Sequence, residues 1–198
     1  LNVSITGLEN LISDCIKYGY DNHLAHIYVY SYDSDFRNLT EVDGVEERLV
    51  YFNKGIEIGT AIGNTQFLQE AYRKNIMLAS LHGFFEVCIY FYKKSLSIAK
   101  KENDVLAQAA IYNGMGYSNC GLEYYTEAHG FYNKALVLYV KYGTSDDIVE
   151  TLYNMGINAI LAEDFENASS YLLAAANILH ILRQSAIRTC NVSKLFGL

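Results

Sequence analysis

The sequence predicts an all-α fold, a superhelix or solenoid of about five helical hairpins repeated every 40 residues. Three observations predict it. Apolar residues recur at the i, i+3, i+4, i+7 spacing of helical faces along the chain. Small residues return at one position of each repeat, and large residues flank them. The small residues are Cys15, Gly55, Ser95, Ala135 and Ala175.

The flanking positions have the opposite size. Three residues before the small one stand Ile12, Phe52, Tyr92, Tyr132 and Leu172. Three residues after it stand Tyr18, Ile58, Ile98, Leu138 and Ile178. A single hairpin cannot bury its own apolar face, whereas stacked hairpins can, with the small residue allowing two backbones to approach. We therefore expect one continuous domain over residues 1–198.

Helices are predicted along the whole chain. The predicted ranges are 6–18, 21–36, 45–62, 65–82, 86–101, 105–122, 125–142 and 148–162, followed by a helix from Asp164 to near Leu182 and the first turns of another at 190–198. Residues 27–32, IYVYSY, could equally form a strand. Gly55 and Gly59 weaken their helix by about 1 kcal/mol each relative to Ala, so close packing is expected there.

The chain has no proline, so other residues must end its helices. Gly63, Asn103 and Gly143 follow the second helices at the repeat spacing, and all three residue types tolerate positive φ. Thr65 is the predicted N-cap of the helix that follows Gly63, and Ser145 or Asp146 is predicted to start the helix over 148–162.

Composition excludes several classes of function. Lys and Arg number 15 against 22 Asp and Glu, a net charge of −7, so nucleic acid and anionic membranes are poor partners. The four cysteines form no metal-ligand or disulfide pattern, and His23 and His26 lack further ligands, so no metal and no cofactor is expected. We expect a cytoplasmic protein, because neither a signal peptide nor a membrane-spanning apolar run is evident.

Two repeats carry a family motif. Met115-Gly116, Ala128, Tyr132 and Ala135 are followed 40 residues later by Met155-Gly156, Ala168, Leu172 and Ala175. This pattern resembles the tetratricopeptide repeat, most clearly over residues 65–183. The chain departs from it where Tyr72, Tyr112 and Leu152 replace the usual Trp, where Glu123 and Glu163 replace the inner-turn Gly, and in a period longer than about 34 residues.

The resemblance implies a concave groove, lined by the first helices, in which an extended peptide or protein segment would lie. The candidate ligand-binding residues are Arg73, Met77, Asn113, Tyr117, Tyr153 and Ile157, one turn apart within each helix and in register between repeats. Tyr153 and Ile157 could instead pack against the next hairpin. We expect Asn154 and Asn158 to bridge neighbouring helices, and most tyrosines to fill the core.

No nucleophile, acid and base converge at any motif spacing, so catalytic residues are not expected and the chain is predicted not to be an enzyme. Its repeats resemble the helical sensor regions that precede diguanylate cyclase domains in clostridial signalling proteins. The predicted function is a non-catalytic input module within a longer protein, with a possible homodimer. The alternatives are the repeat domain of a cytosolic peptide-pheromone receptor or transcriptional regulator, and a plain protein–protein adaptor.

Overall fold

The computed structural model describes residues 54–196, with only the backbone described for Leu78 and for residues 186–196. These residues are helical apart from short turns and contain no strand, so the predicted all-α helical repeat is confirmed. Contacts divide the chain into two compact units, Leu1–His82 and Gly83–Leu198. Each unit is described by itself below, and a single domain over residues 1–198 stays a prediction. The predicted helices over 6–18 and 21–36, and the His23–His26 pair, lie outside the described residues.

The first unit ends in two helical segments. Residues 54–61 are helical, and helix α1 follows over Thr65–Leu81. The predicted cap at Thr65 is wrong: Asn64 is the N-cap, and its side chain accepts a hydrogen bond from the Phe67 backbone N–H at 3.0 Å. Gly59 is buried beneath Phe67, where a Cβ would come within 2.5 Å of the ring. The expected close packing at this glycine is therefore present.

The second unit consists of five helices in its described part. They are α2 (Phe85–Lys101), α3 (Val105–Gly121), α4 (Tyr125–Tyr142), α5 (Ser145–Leu161) and α6 (Phe165–Phe196). The prediction that the last helix ends near Leu182 is wrong, because α6 runs unbroken to Phe196. Residues 183–190 contain no Gly, Pro or Asn, so nothing in the local sequence opposes helix continuation.

Left-handed backbone conformations mark the turns. Gly63 and Asn103 have φ of 68° and 56°, as predicted, and the inner turns of the hairpins use Glu123 and Glu163 at 65° and 60°. The prediction for Gly143 is wrong, since its φ is −90° and its backbone is extended. Here the next helix begins immediately after the turn. Thr144 and Asp147 form a capping box at the start of α5, so the turn ends in this cap and not in a residue with positive φ.

Hairpins stack in sequence within the second unit. Each of its helices packs against the next, and α3 also touches α5, the first helix of the following hairpin. Ala135 is fully buried with Ala109 and Tyr139, and Ile148 of α5 packs onto this cluster. The small repeat residues Ser95 and Ala175 are buried too. Small side chains therefore mark close helix contacts, as the sequence pattern predicts.

In each of the hairpins α3–α4 and α5–α6, one glycine of the first helix allows the second helix to pack closely against it. A Cβ at Gly116 would lie 2.6 Å from the Tyr132 ring, and one at Gly156 would lie 2.6 Å from Leu172 Cδ2. Tyr132 is 1% exposed and packs with Ala128 and Met155. The motif glycines thus accommodate the large residues of the partner helix.

Candidate functional site

Polar side chains form hydrogen bonds between α3 and α5, the first helices of the α3–α4 and α5–α6 hairpins. Asn113 of α3 donates from Nδ2 to Oε1 of Glu150 on α5 at 3.2 Å, and Asn154 of α5 donates from Nδ2 to Oδ1 of Asn113 at 3.4 Å. Asn113 and Asn154 are half-buried and Glu150 is exposed. The three residues therefore form a hydrogen-bonded seam between α3 and α5, and the predicted bridging role of Asn154 is confirmed.

Two tyrosines lie next to this seam and project into solvent. Tyr117 is 52% exposed, one turn after Asn113, and Tyr153 is 55% exposed, directly before Asn154. The Tyr117 ring meets Phe85 edge-on, with the ring centroids 6.0 Å apart. Ile157, one turn after Tyr153, is half-buried. We call Asn113, Tyr117, Glu150, Tyr153 and Asn154 the α3–α5 surface.

Arg73 and Met77, the other two predicted binding residues, lie in the first unit. Both are on α1, one turn apart, and both are exposed. Their register with the α3–α5 surface stays a prediction. Ligand contact by any of the six predicted residues also stays a prediction.

A second polar site lies at the other end of α5, where the sequence predicted only a structural amide. Asn158 is 3% exposed and donates from Nδ2 to the backbone oxygen of Tyr125 at 3.0 Å, so its predicted bridging role is confirmed. Its Oδ1 atom is buried without a hydrogen-bond partner in the described structure. A buried acceptor in this state costs about 1–3 kcal/mol.

Asn158 borders a cavity of about 220 Å³ where α4, α5 and the start of α6 meet. We call it the Asn158 cavity. Its lining is Tyr125, Thr126, His129, Asn158, Ala159, Ala162, Asp164, Asn167 and Tyr171. Small alanines and two tyrosines provide its apolar wall, and the other side chains are polar.

Two separate sets of hydrogen bonds hold the polar wall. His129 Nε2 lies 2.9 Å from the Tyr171 hydroxyl, and Asn133 Nδ2 lies 3.1 Å from His129 Nδ1. Asp164 caps α6: its Oδ1 accepts from the Asn167 backbone N–H at 3.2 Å, and its Oδ2 accepts from Asn167 Nδ2 at 2.6 Å. Hydrogen bonds from the Asn167 side chain and backbone lower the pKa of Asp164, which favours its carboxylate form.

Sequence reasoning missed this cavity. The His129 side chain, for which the sequence predicted no specific role, bonds to Tyr171 and Asn133. The sequence does carry one indication of the cavity, a change of residue type between equivalent positions of neighbouring repeats. Forty residues before Asn158 stands Ser118, and forty before Asp164 stands Tyr124, so polarity increases at this one junction.

The expectation that tyrosines fill the core holds only for some of them. Tyr132 is buried, and its burial raises the pKa of the phenol. Tyr90, Tyr117 and Tyr124 are more than half exposed, so a core role is wrong for these three. Their exposure leaves aromatic surface available for contact with other molecules.

Among the described residues, no group of three His, Cys, Asp or Glu side chains is placed to hold a metal ion. Within the described residues, Cys88 and Cys120 form no disulfide bond, and burial raises the pKa of each thiol. Within residues 54–196, none of the helices combines the length and apolar character needed to cross a membrane.

Comparison with solved structures gives a fold neighbour. The chain superposes on the crystal structure of BtubC (BKLC), a helical bacterial protein from P. vanneervenii, with a TM-score of 0.60 and 14% sequence identity. The match covers 90% of this chain and 81% of that one. No protein-family model and no curated protein matches the sequence. At this identity the likeness supports the all-α repeat fold alone.

Proposed function

We propose that this chain is a non-catalytic, tetratricopeptide-like binding module that holds an extended peptide or protein segment on its first helices. In this proposal the module is the input region of a bacterial signalling protein, such as a diguanylate cyclase. The observation that carries the binding proposal is the α3–α5 surface, where two exposed tyrosines flank half-buried amides. Aromatic rings supply contact area, and amides can pair with a peptide backbone.

The polar groups on this surface favour one class of peptide. Asn113 and Asn154 have further donors and acceptors beyond the bond that joins them and the bond from Asn113 to Glu150, so they can exchange a bridging bond for a peptide amide. Glu150 adds a negative charge, and the whole chain carries a net charge of −7. An extended segment with a basic residue and an apolar or aromatic anchor therefore fits the surface best.

The test is selection from a displayed library of random 12-residue peptides, followed by synthesis of the enriched sequences and titration against variants. Tyr117→Ala and Tyr153→Ala should each weaken binding about tenfold, a loss of about 1.4 kcal/mol, as expected for an aromatic contact. Tyr124→Ala is the matched control, because Tyr124 is equally exposed, at 56%, but lies at the start of α4. Equal binding by all three variants would reject the α3–α5 surface.

Hydrogen exchange, measured with and without a selected peptide, distinguishes a sensor module, which changes conformation on binding, from an adaptor module, which does not. A sensor changes its conformational ensemble, so protection should spread over several hairpins of the second unit. An adaptor docks its partner without switching, so protection should be confined to contact residues on α3 and α5. The second result would leave the binding proposal intact and remove the signalling part of it.

A further inference from the structure

An apolar groove lies between α5 and α6 in the last hairpin. Its volume is about 430 Å³, and Leu172, Ala175 and Leu179 line it from α6. Val149 lines it from α5. We call it the Ala175 groove. Leu179 is 50% exposed, so the groove leaves apolar surface open to solvent, which is typical of a surface that contacts another protein segment.

The preceding hairpin has the same groove, but there a helix fills it. The equivalent residues, forty positions earlier, include Ala109, Ala135 and Tyr139. All three are buried, and Ile148 of α5 packs against them. Tyr139 is 7% exposed, whereas Leu179 at the same repeat position is 50% exposed. The packing of α5 thus shows what such a groove accommodates, namely one further helix.

The two grooves differ in charge. Asp146 and Glu150 border the Ala175 groove, and both are exposed. The equivalent residues of the preceding hairpin are the uncharged Leu106 and Ala110. Glu150 accepts a hydrogen bond from Asn113, which leaves its charge in place. An apolar floor beside two carboxylates favours a helix that carries both apolar and basic residues.

The second half of α6 is a helix of this kind. Residues 182–196 carry three basic residues and no Asp or Glu, and we call them the basic segment. Arg183 is exposed and lies one turn after Leu179, in the same row along α6. By the helical period this row continues through Ile187, Cys190 and Lys194.

The basic segment cannot reach the groove of its own chain. The first half of α6 forms that groove, and α6 runs unbroken over Phe165–Phe196, so its second half points away from it. Because α5 has 17 residues and α6 has 32, roughly the last 15 residues of α6, about 22 Å, extend past α5. A helical stretch of that length is marginal in water unless it packs against another surface.

From these observations we infer that two copies of this chain form an antiparallel dimer, in which the basic segment of each copy lies in the Ala175 groove of the other. The contact is two-fold symmetric, so it closes with two copies. The antiparallel direction brings each basic segment to the two carboxylates of its partner. A parallel arrangement would instead bring the acidic borders of the two grooves together.

The test is sedimentation equilibrium of the whole chain without any peptide. The average mass should rise from 22.3 kDa towards twice that value. We expect this rise as the concentration increases from about 1 to about 500 µM, because dimerisation follows mass action. A mass of one chain at every concentration would overturn the inference and leave the peptide proposal for the α3–α5 surface untouched.

Variants of α6 test whether the groove is the contact. Leu179→Gln places an amide in the apolar floor and should weaken the dimer about tenfold. Leu173→Gln is the matched control: Leu173 is 61% exposed on the same helix but lies outside the groove lining, so the dissociation constant should stay within about twofold. Equal effects of the two variants would overturn the assignment.

A second groove variant separates dimerisation from folding. Ala175→Leu fills the groove with its own side chain, so it should abolish the dimer. At concentrations below the dissociation constant of the wild-type dimer, the monomer of this variant should remain folded, because the groove is open there. A variant that is folded and still forms the dimer would contradict the contact.

Charge reversal shows whether the contact joins two different copies. Arg183→Glu and Asp146→Lys should each weaken their own dimer about tenfold, since like charges then meet at both ends of the contact. An equal mixture of the two variants should dimerise again, because each mixed pair brings opposite charges together at both ends. A mixture that stays monomeric would overturn the antiparallel arrangement, since charge pairs within one chain are not restored by mixing.

Discussion

The hairpin of α3 and α4 and the hairpin of α5 and α6 share one pattern but use it differently. In the first, Ser118 bonds within its own helix and Ala135 is covered by Ile148 of the next hairpin. In the second, Asn158 reaches across to α4, and Ala175 lines a groove of about 430 Å³ with Leu172 and Leu179. The repeat therefore provides a stable frame, and departures from it provide candidate sites.

The largest effect is expected at the small repeat residue. Ala135→Leu should cost about 3 kcal/mol of unfolding free energy, because Ala135 is fully buried beneath α5 and the added carbons have no space. Ala175→Leu, at the same repeat position, should cost less than about 1 kcal/mol, because its side chain can extend into the open groove. Urea denaturation measures both variants, and equal losses would contradict the proposed difference between the hairpins.

The next effect concerns the motif glycine. Gly116→Ala should cost about 2 kcal/mol, because the added methyl group meets the buried ring of Tyr132. Gly156→Ala should cost about 1 kcal/mol, because Leu172 is half-buried and can rotate away. Gly130→Ala is the control: a Cβ there has no neighbour within 4 Å, so helix propensity should stabilise the protein by about 1 kcal/mol. A thermal melt that shows all three glycines behaving alike would refute the steric explanation.

Alkaline pH should affect the α3–α4 hairpin more than the α5–α6 hairpin. Burial raises the pKa of Tyr132 well above the ordinary value near 10, and Leu172 occupies its place in the second hairpin. Below pH 10 the phenol is neutral in both states and the stability is unchanged. Above pH 10 the unfolded tyrosine ionises while the folded one does not, so stability falls by about 1 kcal/mol per pH unit for this residue.

Chemical denaturation at pH 9 and pH 11 measures that loss. Tyr132→Phe keeps the ring over Gly116 and removes the titrating group, so its decline between the two pH values should be smaller by about 1 kcal/mol. Tyr139, whose pKa burial raises to about 12, contributes in the same direction in both proteins and cancels in the comparison. An identical decline in the variant would exclude Tyr132 as the cause.

The smallest effect is expected at the seam between the hairpins. Asn113→Ala should cost about 0.5–1 kcal/mol, because Asn113 is half-buried and its two side-chain bonds, to Glu150 and Asn154, compete with water. The melting temperature should therefore fall only slightly. A loss above about 2 kcal/mol would show that the amide is structural and unsuited to exchanging partners with a peptide.

The repeat could be predicted from the sequence because residue size is a local property with a fixed period. The all-α fold, the boundaries of the helices between residues 65 and 161 to within a few residues, and the burial of Ser95, Ala135 and Ala175 follow from that period. The end of the last helix was not predictable in the same way, because the expected stop near Leu182 relied on the repeat length alone. No breaker stands there, so α6 continues.

The sequence alone determined the helical fold, the repeat positions that carry small and large residues, and the left-handed turns at Gly63 and Asn103. Only the tertiary structure decided that Asn113 bonds across to Glu150, that Tyr117 and Tyr153 face solvent, and that the buried Asn158 amide donates to the backbone oxygen of Tyr125. The reason is physical. Periodicity fixes the orientation of a side chain on its own helix, but hydrogen bonds between helices depend on distances that arise only when the hairpins pack.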